Sequence, residues 1–169
     1  GVEIEERLDA RLPREASFVD QDGKPVKVED LLRSGKPVVL ALVYYECPML
    51  CGLVLGGMAR GMKETGLELG KDYVAASISF DPREKPAQAL VRQKHYLQSF
   101  DKADRKEVWP FLVGQEPEIH KVTDAVGFHY KYDEETRQYA HAAAILVLTP
   151  DGRVSRYLYG VEFPGRDLR

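Results

Sequence analysis

Residues 38–45, Val-Val-Leu-Ala-Leu-Val-Tyr-Tyr, are the longest strongly apolar run in the sequence. The run does not alternate with polar residues, so a strand made of it must be covered on both faces. It is far shorter than the roughly 18 residues that a membrane-spanning helix needs. Directly after it come Cys47-Pro48-Met49-Leu50-Cys51. Then Leu50, Leu53, Val54, Gly57, Met58, Gly61 and Met62 recur at helical spacing, which predicts an amphipathic helix ending near Gly66. A buried strand therefore hands the chain to a helix through the loop that carries both cysteines.

The rest of the sequence supplies the cover. Residues 16–19 and 26–28 flank Asp22-Gly23-Lys24-Pro25 and read as a small N-terminal hairpin. Strands are predicted over 73–80 and 108–113, each followed by a helix, the first from Pro86 to about Phe100 and the second over 118–126 with Gly127 as its stop. Residues 142–149 and 154–159 flank Pro150-Asp151-Gly152 and predict an antiparallel closing pair. Strands alternating with helices, then a hairpin, indicate an α/β layer structure with a mixed central sheet flanked by helices. With a cysteine pair where the first central strand meets its helix, such a chain looks like a thioredoxin-like fold.

At 169 residues, without repeats or low-complexity tracts, one domain spanning 1–169 is the simplest organisation. A net charge of −3 gives no hint of nucleic-acid binding, which would call for a basic face, so nucleic acid is not an expected partner. The chain opens on Gly1 without a leader and closes at Arg169 just after Pro164-Gly165-Arg166-Asp167, which reads as a loop leading into a helix start. Both termini are therefore expected to be truncated or processed.

Two cysteines are too few for a disulfide scaffold, and without a second pair they do not make a closed structural zinc site. At a helix start, backbone N–H groups favour thiolates. A spacing of i, i+4 puts both sulfurs on one side of the first turn, able to close a disulfide or, reduced, to grip a soft cation. The three-residue spacer differs from the two-residue spacer of thioredoxin. A peroxidase would need a hydroxyl such as Thr three residues before the reactive cysteine, and Tyr44 stands there.

A stable metal site needs a third donor. His95 falls within a charged helix, His120 on the polar side of its helix and His129 in an alternating strand, and all three read as solvated. His141 directly precedes the buried run 142–148. In a thioredoxin-like fold that position lies beside the cysteine loop, where a cis proline commonly sits, so His141 reads either as a packed histidine or as a ligand. Met58 and Met62 read as core, and Met49 as packing, a partner contact or a thioether donor to a soft cation. Asp81 reads as an Asp-Pro turn or a residue tuning the site or meeting a partner, and Glu46 as an exposed charge or one acting on the thiols.

The sequence resembles the Sco/SenC family of copper-binding assembly factors for respiratory oxidases. The matching residues are Phe18-Val19-Asp20-Gln21-Asp22-Gly23, Gly35-Lys36-Pro37-Val38-Val39, Cys47-Pro48 through Cys51, Ser79-Phe80-Asp81-Pro82, Tyr139-Ala140-His141 and Thr149-Pro150-Asp151-Gly152, in order over about residues 16–160. The resemblance implies that Cys47, Cys51 and His141 bind one copper ion per chain. Two thiolates suit Cu(I), an added imidazole supports Cu(II), and zinc would tolerate the same donors with water completing a tetrahedron. Gly52, the Met49-Leu50 loop, Ala140 and Ala142 depart from the family pattern, leaving the ligands intact and altering the surface around them. The implied function is a copper metallochaperone for the copper centre of a terminal oxidase. Its partners would be the copper-accepting subunit and an upstream copper donor or thiol reductant. It would be a monomer facing the periplasm, anchored to the membrane by a segment absent from this chain. The rival is a thiol–disulfide oxidoreductase using Cys47 and Cys51 as its redox pair, so whether the chain is an enzyme stays open.

Overall fold

The computed structural model describes residues 2–46, 50–102 and 104–169, apart from the side chains of Leu50 and Cys51. At its centre is β3 (Val38–Val43), buried at every residue as the unbroken apolar run requires. β3 runs parallel to β4 (Val74–Ser79) along its whole length and antiparallel to β8 (Ala144–Leu148) from Val38↔Leu148 to Ala41↔Ile145. With β5 (Phe111–Leu112) and β9 (Val154–Tyr159) at the edges, the order is β5-β4-β3-β8-β9. This is the expected mixed sheet.

Parallel neighbours need crossovers, and helices provide them. α2 (Leu50–Glu64) connects β3 to β4, and α3 (Pro86–Gln98) connects β4 to β5. α4 (Glu116–Val126) stops at Gly127, whose φ is 71° and where a Cβ would overlap the carbonyl oxygen of Glu5. Both facts call for glycine. The N-terminal hairpin is present as β1 (Ser17–Val19) and β2 (Pro25–Lys27), followed by a one-turn helix, α1 (Val28–Leu31).

Two expectations need correction. The strand expected over 108–113 shrinks to Phe111–Leu112, because Lys106–Val108 form a 3-10 turn and Pro110 has no N–H to give a ladder. Pro110 keeps only its acceptor role, taking the N–H of Ser77. Nor does His141 lead straight into β8. It ends a separate strand, β7 (Gln138–His141), which pairs with β6 (Tyr130–Asp133) in a two-stranded sheet of its own. Along β7, Gln138 and Ala140 face out while Tyr139 and His141 turn inward, whereas the following strand is covered on both sides. The change from one-sided to two-sided cover separates the two strands.

Met58 and Met62 are fully buried on α2, together with Val54 and Leu55. An adjoining flank of α2 carries the C-terminal strap, which ends in α5 (Gly165–Leu168). The strap rests on bare helix backbone: a Cβ at Gly57 would overlap the carbonyl oxygen of Val161, and one at Gly61 that of Phe163. Gly52, also on α2, has open space around its Cβ position. Gly57→Ala is therefore expected to destabilise the protein by about 1–3 kcal/mol through overpacking. Gly52→Ala should stabilise it by up to about 1 kcal/mol through helix propensity. Urea denaturation of both variants reads the contrast, and equal effects would contradict this packing.

Candidate metal and thiol site

Beyond β3 the chain passes through Tyr44, Tyr45 and Glu46 to Cys47. Cys47 and Met49 lie outside the described residues, as does the side chain of Cys51. What is described is the frame around them. α2 begins at Leu50, so Cys51 stands in its first turn, at the carboxyl end of β3.

The residues leading to Cys47 are held by an unexpected pair. Glu84, from the turn before α3, is buried, and its Oε1 accepts the N–H of Tyr45 at 2.7 Å and the hydroxyl of Ser79. Its Oε2 accepts the N–H of Glu46 at 2.8 Å. Burial pushes the Glu84 carboxyl above its ordinary value, against the opposing pull of these three donors. From α3, Arg92 donates through Nε and Nη2 to the carbonyl oxygen of Tyr45, at 2.9 and 2.7 Å. Glu46 is exposed, as expected, and accepts from Gln88 Nε2 at 3.1 Å. Sequence reasoning missed Glu84 and Arg92, because nothing in their spacing separates them from other charges on a solvated helix face.

His141 arrives from the other side. It is only 9% exposed, and its Nδ1 lies 2.9 Å from the carbonyl oxygen of Ala142. A carbonyl can only accept, so in the neutral ring this bond puts the proton on Nδ1 and the lone pair on Nε2, the arrangement that a carbonyl behind the ring gives metal-binding histidines. The imidazole packs edge-on to Phe80 at 5.1 Å and Tyr44 at 5.9 Å, centroid to centroid. Through Tyr44 it stands beside the strand-to-helix connection, although it reaches that place on a hairpin rather than at the head of β8.

Aromatic and cationic contacts pin this hairpin. The N–H of Tyr139 donates to the Tyr44 hydroxyl at 3.3 Å, and the two rings meet at 4.9 Å. Tyr130 stacks on Phe80 at 4.6 Å. Arg83 lies 4.5 Å over the Tyr132 ring and pairs with Asp81 at 3.1 Å. Asp81 also takes the backbone N–H of Arg83 at 2.9 Å, so it is both a turn residue and the anchor of this latch. Burial, and next the charge of Asp81, push the Tyr139 hydroxyl up to about 12.

The other histidines make different contacts, and of them His120 touches the edge of this cluster, its ring centroid 6.3 Å from that of Tyr130. His95 is exposed on α3. His120 lies 3.9 Å from Glu116. His129, just before β6 rather than within it, lies 3.3 Å from Glu5. Among the described residues, no group of three or more His, Cys, Asp or Glu side chains is arranged to hold a metal ion. Two thiols and a neutral imidazole form a soft, copper-compatible donor set.

A five-stranded mixed sheet with helical crossovers, Cys51 in the first turn of the helix after its central strand and a buried His141 beside Tyr44 define a thioredoxin-like domain. The SCO1/SenC family model matches residues 5–166, and the chain belongs to that family. No curated protein matches it in sequence. Among solved structures, Bradyrhizobium japonicum ScoI with copper bound is 28% identical, covering 90% of this chain and 92% of that one with a TM-score of 0.66. A SCO1/SenC family lipoprotein from Bacillus anthracis str. Ames is 26% identical, covering 98% and 94% with a TM-score of 0.73. BsSco, described as a member of the Sco family of cytochrome c oxidase assembly proteins and as having a disulfide switch, is 25% identical, covering 94% and 88% with a TM-score of 0.69.

The latch carries one expectation. Arg83→Ala should speed hydrogen exchange of the Tyr139 amide and the β6–β7 ladder a few-fold, since an exposed cation–π contact contributes about 0.5–1 kcal/mol. Amides of β3 should be unaffected, and equal acceleration in β3 would refute a local latch. Glu84 carries another. Its value in the folded chain is raised above the ordinary 4.5, so the folded state holds the proton more tightly. The stability it contributes is complete below the unfolded value and is lost as pH rises through the folded one. In urea denaturation from about pH 4 to about pH 8, wild type should lose stability relative to Glu84→Gln. A relative gain would reverse the assignment.

Proposed function

We propose that this protein binds one copper ion as cargo through Cys47, Cys51 and His141 and delivers it to the copper-accepting subunit of a respiratory terminal oxidase. The observation that carries the reading is the placement of His141: buried, its Nδ1 tied to Ala142, beside the Tyr44 that leads to the cysteine loop. The copper-bound relative and the oxidase-assembly relative support it. Two thiolates hold Cu(I), and the imidazole lets the same site hold Cu(II). The protein acts as a monomer on the extracytoplasmic face of the membrane, supplied by an upstream copper donor and kept reduced by a thiol reductant. The lipoprotein relative is consistent with a membrane tether.

A second reading is favoured by the disulfide switch described for BsSco. Cys47 and Cys51 would then reduce a partner's disulfide, one attacking and the other resolving the mixed disulfide, and end as a disulfide themselves. A reductase has no need of His141, so His141 separates the two.

Reduced protein is expected to take up one copper ion per chain, and the oxidised protein none, since a disulfide removes both thiolates. His141→Ala should lower Cu(II) affinity tenfold or more, about 1.4 kcal/mol per decade, while Cu(I) affinity and disulfide formation change less. Because the ring is packed on Phe80, thermal unfolding is followed on the same samples. Competitive titration of both copper states alongside a thiol-exchange assay decides. Wild-type Cu(II) binding with lost thiol exchange would favour the oxidoreductase.

A further inference from the structure

We infer that Glu84 and Arg92 are positioning residues for the cysteine loop, clamping the Tyr45–Glu46 peptide unit, one residue short of Cys47, from both ends. The Tyr45 carbonyl and the Glu46 N–H belong to the same peptide plane. Arg92 grips its oxygen with two donors at 2.9 and 2.7 Å, and Glu84 takes its hydrogen at 2.8 Å. A cation on the carbonyl and an anion on the N–H match the peptide dipole, so this plane cannot turn over without breaking three charge-assisted bonds. Glu84 Oε1 also takes the preceding amide, that of Tyr45, at 2.7 Å. The orientation of the backbone on reaching Glu46 is thereby fixed by side chains from a different part of the chain, the β4–α3 turn and α3.

A turn of this kind could be satisfied by water. Here instead a carboxylate is only 4% exposed, a position that is costly unless its hydrogen bonds are made. Those bonds go to Tyr45, Glu46 and Ser79. The arrangement therefore invests a buried charge in the two residues that lead to the first cysteine. Thiol chemistry is sensitive to this placement. The two sulfurs must reach bonding distance in the disulfide and spread again as thiolates, and a fixed approach to Cys47 sets the relative free energy of the two states.

The inference rests on the proposed use of Cys47 and Cys51, and the test separates the two claims. The thiol–disulfide equilibrium constant is measured in glutathione buffers, and the Cu(II) EPR spectrum on copper-loaded protein, for wild type, Glu84→Gln, Arg92→Lys and the double variant. Val38→Ala, at the opposite end of β3, serves as a stability control. Glu84→Gln and Arg92→Lys should each shift the equilibrium constant about tenfold, which is about 30 mV for this two-electron couple, and change the EPR parameters. The double variant should show less than the sum, because both residues hold one peptide plane. Val38→Ala should lose stability with an unchanged constant. Variants that lose only stability, with wild-type constant and spectrum, would overturn the inference. Arg92→Lys keeps the charge and removes the fork, and it carries the test alone if Glu84→Gln does not fold. Wild type that takes up no copper would refute the copper reading, while its thiol equilibrium would still decide the clamp.

Discussion

Everything in this molecule is arranged around a strand that is buried at every residue. β3 is covered on both faces, paired with β4 along its length and with β8 from Val38 to Ala41, so its direction is set by its neighbours. The chain leaving it emerges at one fixed place, at the mouth of the sheet, and α2 must start there to cover one face. The cysteine pair is where it is because that transition is where it is. Ligand sites in open α/β sheets collect at the carboxyl ends of parallel strands for the same reason: loops there are free to vary while the strands beneath are not.

The two halves of the proposed donor set are anchored by different elements that meet at Tyr44. The cysteines lie on the β3–α2 connection, whose approach is gripped by Glu84 and Arg92. His141 rides on a two-stranded sheet outside the main one, held by Phe80, Tyr44 and Arg83. Tyr44 belongs to both systems. It continues β3 toward Cys47, and its hydroxyl accepts the Tyr139 amide next to His141. Aromatic contacts of this kind contribute about 0.5–1.5 kcal/mol each beyond the area they bury, enough to set a hairpin's position without welding it to the sheet.

Much of this was legible in the sequence, for identifiable reasons. The unbroken run 38–45 announced a doubly covered strand, and the spacing of Val54, Met58 and Met62 announced the helix face buried against it. Pattern failed where pairing partners decide. Residues 142–149 read as one strand because their apolar character is continuous, yet β8 starts at Ala144, and β7 exists only because β6 lies opposite it. Likewise, the short β5 follows from a proline in its ladder rather than from hydrophobicity. The site divided in the same way. Cys47, Cys51 and His141 were conspicuous by residue type. Glu84 and Arg92 were not, because a carboxylate and a guanidinium facing one distant peptide leave no periodicity behind.

The central claim is that His141 completes the donor set begun by the two cysteines. The most direct measurement is pulsed EPR on Cu(II)-loaded protein with histidine selectively labelled with 15N, wild type beside His141→Ala. The account predicts coupling to a single imidazole in wild type, bound through Nε2 with the remote Nδ1 hydrogen-bonded to Ala142, and no histidine coupling in the variant. Histidine coupling that survives in His141→Ala would place the copper on another residue and contradict the account.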